Sequence, residues 1–155
     1  MTIDARLAEL GLELPEAPTP VASFEPIVST GDLVLTSGQV ATSGAGAMVA
    51  TGRVGAEVDV HQAQLCARAC ALNVLAQLNT APGGLDRLDR IVKLTVFVAS
   101  APDFSEQHVV ANGASDLLVQ VLGDRGRHAR SAIGVAALPL ASPVEIEAIA
   151  RWLGE

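Results

Sequence analysis

The residues best suited to binding a small anion cluster between Arg125 and Arg130. Arg125, Arg127 and Arg130 are three of only ten Lys and Arg residues in a chain of formal net charge −7. Arg125 and Arg127 follow a predicted helix, and complementing the negative end of its dipole is the favoured interpretation for both. Arg130 directly adjoins a predicted strand, and a guanidinium held by a rigid sheet can bind a carboxylate through two hydrogen bonds. Arg130 is therefore the candidate carboxylate-binding residue.

A pair of carboxylates occupies the last predicted strand. Glu145 and Glu147 are two residues apart, so they lie on the same face of that strand. Neighbouring carboxylates raise each other's pKa, and burial adds to this effect, so one of the two could serve as a general acid or base. A solvated polar face accounts for the pattern equally well, and the spacing leaves both interpretations open.

The other reactive side chains form no pattern typical of a metal or cofactor site. Cys66 and Cys70, four residues apart in a predicted helix, are interpreted as small core residues. The chain has three histidines, His61, His108 and His128. They show no metal-ligand spacing, and His128 is interpreted chiefly as a helix-terminus or surface residue. Gly44-x-Gly46 lacks the third glycine of a dinucleotide-binding loop, so we expect neither a metal nor a cofactor.

Composition favours one acidic domain, residues 1–155, whose length suffices for a core without disulfides or metal. The net charge of −7 and the pI of about 4.8 argue against a nucleic-acid-binding surface. Apolar runs are too short to span a membrane, and no secretory signal begins the chain. We therefore expect a cytoplasmic protein with neither nucleic acid nor membrane as a partner.

Hydrophobic periodicity predicts the elements that must position these residues. A short amphipathic helix over 2–12 forms an N-terminal extension, residues 1–15, and two strands near 21–28 and 32–37 form a hairpin candidate. A loop over 41–55 follows, with a short third strand near 48–51. Asp59 can cap a helix ending near Asn79, and the apolar run 91–98 predicts a central strand.

The last third adds a helix, from about 103 or 105 to 122, and strands near 131–138 and 143–151. This order predicts an α+β domain in which two helices pack on one face of a single sheet. The other face is then uncovered. Because half of the residues are hydrophobic, a closed cyclic oligomer that buries this face is plausible.

Several ordered motifs resemble the Rid (YjgF-like) family. The C-terminal signature is carried by Ala-Arg-Ser at 129–131, Val-Ala-Ala-Leu-Pro at 135–139 and Val-Glu-Ile-Glu-Ala at 144–148. Further matches are Thr-Ser-Gly-Gln at 36–39, the Gly-x-Val-Gly turn at 52–55, and Ile-Val-Lys at 91–93 leading into Val-Phe-Val at 96–98. Together they span roughly residues 21–150.

The resemblance implies a chorismate-mutase-like fold, a homotrimer with sites in the clefts between subunits, and no cofactor. The implied reaction is hydrolysis of a reactive enamine or imine, such as 2-aminoacrylate, to a keto acid and ammonia. Arg130 matches the arginine that holds the substrate carboxylate, and Glu145 the glutamate proposed to direct water. Ser37 and Gly38 match residues that line the cleft, and Asn112 matches a cleft asparagine.

Two residues depart from the pattern of the family. Phe24 stands where characterised members have a tyrosine, and Ala132 where they have a cysteine. Both suggest a divergent subfamily with a different substrate. Two other functions stay open: a noncatalytic protein that binds a small carboxylate such as a keto acid, and the endoribonuclease activity ascribed to some members, which the acidic composition disfavours.

Strand geometry adds a prediction about how the site is assembled. If 131–138 and 143–151 form one hairpin centred near Ala141, Glu145 lies opposite residue 137. Arg130 is then about seven residues away, or roughly 23 Å at ~3.3 Å per residue. A shared site would need Arg130 from one subunit and Glu145 from its neighbour.

Overall fold

The computed structural model describes residues 2–153, an α+β arrangement with one mixed sheet. The helices are α1 (Ile3–Glu9), α2 (Val60–Asn79) and α3 (Gln107–Leu122). The strands are β1 (Ile27–Thr30), β2 (Leu33–Thr36), β3 (Gln39–Val40), β4 (Leu88–Ala99), β5 (Ala129–Val135) and β6 (Val144–Trp152). Short 3-10 turns cover Gly84–Arg87, Gly123–Gly126 and Pro139–Ala141. Within residues 2–153, no helix is both long and apolar enough to cross a membrane.

The strand order is β1-β2-β6-β4-β5, and β3 also pairs with β6. All neighbours are antiparallel except β4 and β5, which are parallel. A parallel pair needs a long crossover, and the α3 segment supplies it between β4 and β5. The prediction that one sheet carries two helices on one face is confirmed: α2 and α3 pack together there, with α2 against β6.

The predicted hairpin between the last two strands is wrong, because β4 lies between β5 and β6. Two hydrogen bonds show how the connection passes the end of β4. The Ala99 N–H donates to the Pro143 carbonyl and the Ser100 N–H to the Val135 carbonyl, each at 2.9 Å. The connection turns through Leu140 and Ala141, which have positive φ angles of 58° and 54°. β6 thus gains two paired edges, and its alternate apolar side chains reach the core.

The long helix begins and ends as its capping residues predict. The Asp59 side chain accepts from the Gln62 N–H at 2.8 Å, and the Gln62 side chain accepts from the Asp59 N–H at 3.2 Å. This reciprocal capping box satisfies two donors that the first turn otherwise leaves free. Helix α2 then runs to Asn79 and buries one face, including both cysteines.

The N-terminal strands are shorter than predicted. β1 starts only at Ile27, because Pro20 and Pro26 interrupt the preceding segment and proline has no N–H to donate to a ladder. The short strand expected near 48–51 is absent among the described residues. A single bridge between Thr42 and Met48 stands there, and β3 forms earlier, at Gln39–Val40.

The N-terminal helix belongs to the main hydrophobic core. Ile3 and Leu7 of α1 are buried in the same cluster as the apolar residues of α2, β4 and β6. The Arg6 side chain also donates to the Gln120 carbonyl of α3 at 2.9 Å. The helix is thus integrated into the domain and is not a simple appendage.

Helices α2 and α3 approach closely at Gly113. A Cβ atom at this position would overlap the Gln64 carbonyl oxygen of α2. The Gln64 side-chain amide donates to the Val109 carbonyl of α3 at 2.9 Å, which holds the two backbones together. This close contact fixes the position of α3 against α2.

We predict that Gly113→Ala destabilises the protein by about 1–3 kcal/mol, because the helices must separate to admit the methyl group. In an open helix the same change stabilises by about 1 kcal/mol, so the sign is diagnostic. Urea denaturation measures the free energy of unfolding. Gly44→Ala is the matched control, since Gly44 has ordinary backbone geometry and open space around it. Stabilisation by Gly113→Ala would contradict the close contact.

Candidate functional site

Arg130 points toward the helices and is held by one face of α3. It pairs in register with Leu94 of β4, which is fully buried beneath the helices, so the two side chains share that face of the sheet. Its Nη1 donates to Asn112 Oδ1 at 3.0 Å and to Ser115 Oγ at 3.1 Å, and its Nη2 donates to the His108 carbonyl at 3.1 Å. These three partners lie four and three residues apart, the spacing of a single helix face.

The guanidinium of Arg130 still has free hydrogen-bond donors with which to bind an anion. Its three partners are all uncharged, and none of the ion pairs found among residues 2–153 involves Arg130. An arginine has five N–H donors, so two remain available here. A positively charged group oriented by neutral acceptors is suited to bind a carboxylate by a charge-assisted pair of hydrogen bonds.

Ser115 connects Arg130 to His128. Ser115 Oγ lies 3.0 Å from His128 Nε2, and His128 Nδ1 lies 2.6 Å from the Gly126 carbonyl oxygen. Because that oxygen can only accept, Nδ1 carries the proton and Nε2 accepts from the Ser115 hydroxyl. Burial lowers the pKa of His128, as does the positive charge of Arg130, against an opposing effect of the Gly126 hydrogen bond. These two effects favour the neutral form of His128 in this cluster.

Glu145 lies on the opposite, open face of the sheet. Its neighbours Val144 and Ile146 are fully buried on the helix side, so Glu145 projects away from the helices. Its carboxylate packs against Gly38, where a Cβ atom would overlap Oε1. Burial raises the pKa of Glu145, and the negative charge of Glu147 raises it further. Of the two interpretations of this pair, a poised carboxylate fits Glu145 better than a fully solvated one.

Ser37 anchors the segment beside Gly38. Its hydroxyl donates to the Glu25 carbonyl at 2.6 Å, and its backbone N–H donates to the Pro26 carbonyl at 2.9 Å. The Ser37 hydroxyl thus fixes the backbone next to Phe24, whose side chain is 47% exposed. We call Glu145, Ser37 and Gly38 the glutamate group, and Arg130, Asn112, Ser115 and His128 the arginine group.

The two groups do not meet within one chain. Arg130 pairs with Leu94 and Glu145 with Phe97, three residues along β4 and on its two opposite edges. Two strand spacings and three residues separate their Cα atoms by about 14 Å. Their side chains moreover occupy opposite faces. The separation arises from β4 lying between them, and not from the hairpin that the sequence suggested.

Of the remaining predicted residues, Ala132 lies on the Arg130 side of the sheet. Ala132 pairs with Val96, which places it on the same sheet face as Arg130, and it packs against the core. Two open cavities of about 380 and 340 Å³ lie elsewhere, and neither is lined by Arg130 or Glu145. Arg130 and Glu145 therefore lie outside both cavities.

Two basic residues and both cysteines have structural roles. Arg125 donates to the Leu88 carbonyl at 3.0 Å, and exposed Arg127 pairs with Asp124 at 3.2 Å, so both bind backbone or surface groups near the end of α3. Cys66 and Cys70 are unpaired and fully buried, as predicted. Burial raises the pKa of Cys66 to about 11, which keeps its thiol protonated and unreactive.

Sequence reasoning missed Ser115 and placed His128 chiefly at a helix end or surface. Ser115 follows Asn112 by three residues, so the helical period could have indicated that both face the same neighbour. The involvement of His128 depends on β5 lying beside α3. That register followed only from the parallel pairing with β4.

Comparison with known proteins identifies relatives over almost the whole chain. The family model described as "YjgF/chorismate mutase-like, putative endoribonuclease" matches residues 4–151. Protein TCP17 of Trypanosoma cruzi is 47% identical over 148 residues, covering 95% of this chain and 92% of that protein. The crystal structure of Atu1372 from Agrobacterium tumefaciens has a TM-score of 0.90 at 47% identity, covering 97% of this chain and 92% of the other. RidA from a Psychrobacter species has a TM-score of 0.62 at 26% identity, covering 88% and 94%.

We predict that Glu147→Gln lowers the pKa of Glu145, because it removes a neighbouring negative charge. The pKa should still stay above the usual range of a glutamate, since burial is the larger cause. Side-chain carbon NMR across a pH titration measures the change. Asp124→Asn is the control, because Arg125 ties its turn to Leu88, about 30 Å along β4 from Phe97. An unmoved Glu145 pKa would exclude coupling to Glu147.

Proposed function

Because the chain belongs to the YjgF-like (Rid) family with its chorismate-mutase-like α+β fold, we propose that it hydrolyses small carboxylate-bearing imines or enamines, such as 2-aminoacrylate, to a keto acid and ammonia. The observation that carries this proposal is Arg130, oriented by three neutral acceptors with two donors free. Such an arrangement fits a planar carboxylate and fixes the adjacent C=N carbon in space.

The proposed reaction needs a proton acceptor beside that carbon. Ionised Glu145 takes a proton from water as the oxygen adds to the C=N carbon, and it passes this proton to the nitrogen, which gives a neutral carbinolamine. Glu145 then transfers the hydroxyl proton of the carbinolamine to its nitrogen, and cleavage of the C–N bond releases ammonia and leaves the keto acid. An enamine first gains a proton on its β-carbon and loses one from its nitrogen to become the imine. A raised pKa strengthens Glu145 as a base, which suits this role.

A complete site requires two subunits in this proposal. One chain places Arg130 and Glu145 on opposite sheet faces, so Arg130 of one subunit would meet Glu145 of the next. A closed homotrimer repeats this contact three times without a free end. Exposed apolar side chains on the open face support such an assembly, among them Leu35 and Ile133, which are 36% and 43% exposed. We place this trimer in the cytoplasm.

Phe24 and Ala132 limit the chemical groups that the proposed site can use. They supply neither the hydroxyl nor the thiol found in characterised family members, so Arg130 and Glu145 carry the chemistry that remains. The substrate would then differ from that of other members. The net charge of −7 disfavours RNA as the substrate, since single-stranded RNA is held by basic grooves.

We predict that Arg130→Ala lowers kcat/KM for imine hydrolysis by about 100-fold or more, because the substrate loses its orienting contact. The assay generates 2-aminoacrylate or a branched imino acid in situ and follows keto-acid release above the spontaneous rate. Arg127→Ala is the matched control, since the Arg127 side chain is exposed and pairs with Asp124 on the surface.

The outcomes of this assay separate the candidate functions. If wild-type protein does not accelerate hydrolysis of any imine tried yet binds keto acids, it is a carboxylate-binding protein. RNA cleavage that is lost in Arg130→Ala would instead indicate an endoribonuclease. RNA cleavage that persists in this variant would point to another site or to a contaminant.

Mixed oligomers test the shared site directly. We predict that Arg130→Ala and Glu145→Gln are each inactive, whereas their coexpression restores about a quarter of wild-type activity. In a randomly mixed trimer, about one site in four receives both intact groups from neighbouring subunits. Separately purified variants mixed without subunit exchange are the control. Coexpressed variants that remain inactive in mixed trimers would exclude a site shared between chains.

A further inference from the structure

Next to Arg130, the protein carries a serine and a histidine that the proposed reaction does not use. Ser115 Oγ receives a hydrogen bond from Arg130 Nη1 at 3.1 Å and donates its own proton to His128 Nε2 at 3.0 Å. His128 Nδ1 then donates to the Gly126 carbonyl at 2.6 Å. When the His128 ring is neutral with its proton on Nδ1, every donor in this series faces an acceptor.

We propose that Ser115 and His128 are positioning residues that hold the Arg130 guanidinium in the orientation required to bind a small α-keto or α-imino carboxylate. This inference rests on the proposed function, since it concerns the same arginine. Neither residue has to touch the substrate. They act through Arg130, by fixing which of its N–H groups are occupied and which remain for the ligand.

Gly126, the last acceptor of this series of hydrogen bonds, is held rigidly and can therefore anchor the His128 ring. Gly126 is buried, and a Cβ atom there would overlap the Leu118 carbonyl oxygen of α3. Ser115 belongs to the same helix, and the turn that contains Gly126 packs against it. A shift of Arg130 would therefore strain hydrogen bonds to α3 and to a buried turn that packs on α3.

The charge state of His128 matters for the direction of these bonds. A neutral ring with its proton on Nδ1 offers Nε2 as an acceptor, which turns the Ser115 hydroxyl away from Arg130 and directs an oxygen lone pair at Nη1. Burial and the nearby guanidinium favour that neutral form. The guanidinium then remains the positive group that faces the ligand.

Two substitutions of one histidine separate positioning from general packing. In His128→Gln, the side-chain oxygen can occupy the place of Nε2 and still accept from Ser115. In His128→Asn, the shorter amide can replace only the Nδ1 donor to Gly126. We expect His128→Asn and Ser115→Ala to weaken binding of pyruvate, and to raise KM, by about tenfold, with little change in kcat. His128→Gln should stay within about twofold of wild type.

Titration calorimetry with pyruvate gives the dissociation constant without turnover, and the imine assay gives KM and kcat. Asp116→Asn, an exposed neighbour of Ser115 on α3, is the control and should match wild type. Thermal denaturation confirms that each variant is folded. The Arg130 Nε–H signal in nitrogen NMR should broaden or shift in His128→Asn and Ser115→Ala and stay in place in His128→Gln.

Several results would overturn this inference. Equal weakening by His128→Gln and His128→Asn would assign the ring to packing alone. Loss of kcat in Ser115→Ala with an unchanged KM would make Ser115 a catalytic residue. Wild-type protein that does not bind pyruvate would also sink the idea. By contrast, the expected pattern of pyruvate binding in a protein that hydrolyses no imine would support the positioning role while the proposed enzymatic function fails.

Discussion

Strand β4 pairs in parallel with β5 along one edge and antiparallel with β6 along the other, and this mixed pairing determines where each candidate residue lies. The parallel register places Arg130 beside buried Leu94, under α3. The antiparallel register places Glu145 beside Phe97, on the open face. A sheet in which β5 and β6 were direct neighbours would bring different residues together and would leave Arg130 without its helix partners.

The parallel pairing of β4 and β5 also explains how Arg130 can be held in place and still have donors free for a ligand. The crossover that joins β4 to β5 is α3 itself, so the helix that supplies the acceptors is covalently tied to both strands of the pair. Its contribution to Arg130 is a backbone carbonyl, an amide oxygen and a hydroxyl, all without charge. A carboxylate in their place would neutralise the guanidinium and compete with an anionic ligand. Close packing of α3 against α2 at Gly113 then limits how far these acceptors can move.

Features that depend on neighbouring residues could be predicted from the sequence. The pairing of strands that are distant in sequence could not. Helix α2 was predicted from Asp59 to Asn79 because capping and apolar periodicity are encoded by neighbouring residues. The pairing of β5 and β6 was wrong because adjacency in sequence favours a hairpin, whereas Leu140 and Ala141 adopt left-handed backbone angles that their residue types do not signal. Ordered motifs pointed to Arg130 and Glu145. That these two residues lie on opposite faces of the sheet could not be predicted. It depends on their register with β4, and so on the packing of the whole sheet.

The polar groups of the arginine group are distributed unequally around the guanidinium. On the side of the protein interior, Ser115 and His128 complete a series of hydrogen bonds that ends on Gly126. On the same sheet face, Ala132 offers only a methyl group, at the position where the family resemblance implies a cysteine. A guanidinium held by neutral polar groups and bordered by an apolar residue retains its charge and keeps two of its five donors for a ligand. In the proposed site, ligand recognition therefore depends mainly on the carboxylate pairing with Arg130. In this proposal, groups from the neighbouring subunit would recognise the rest of the ligand.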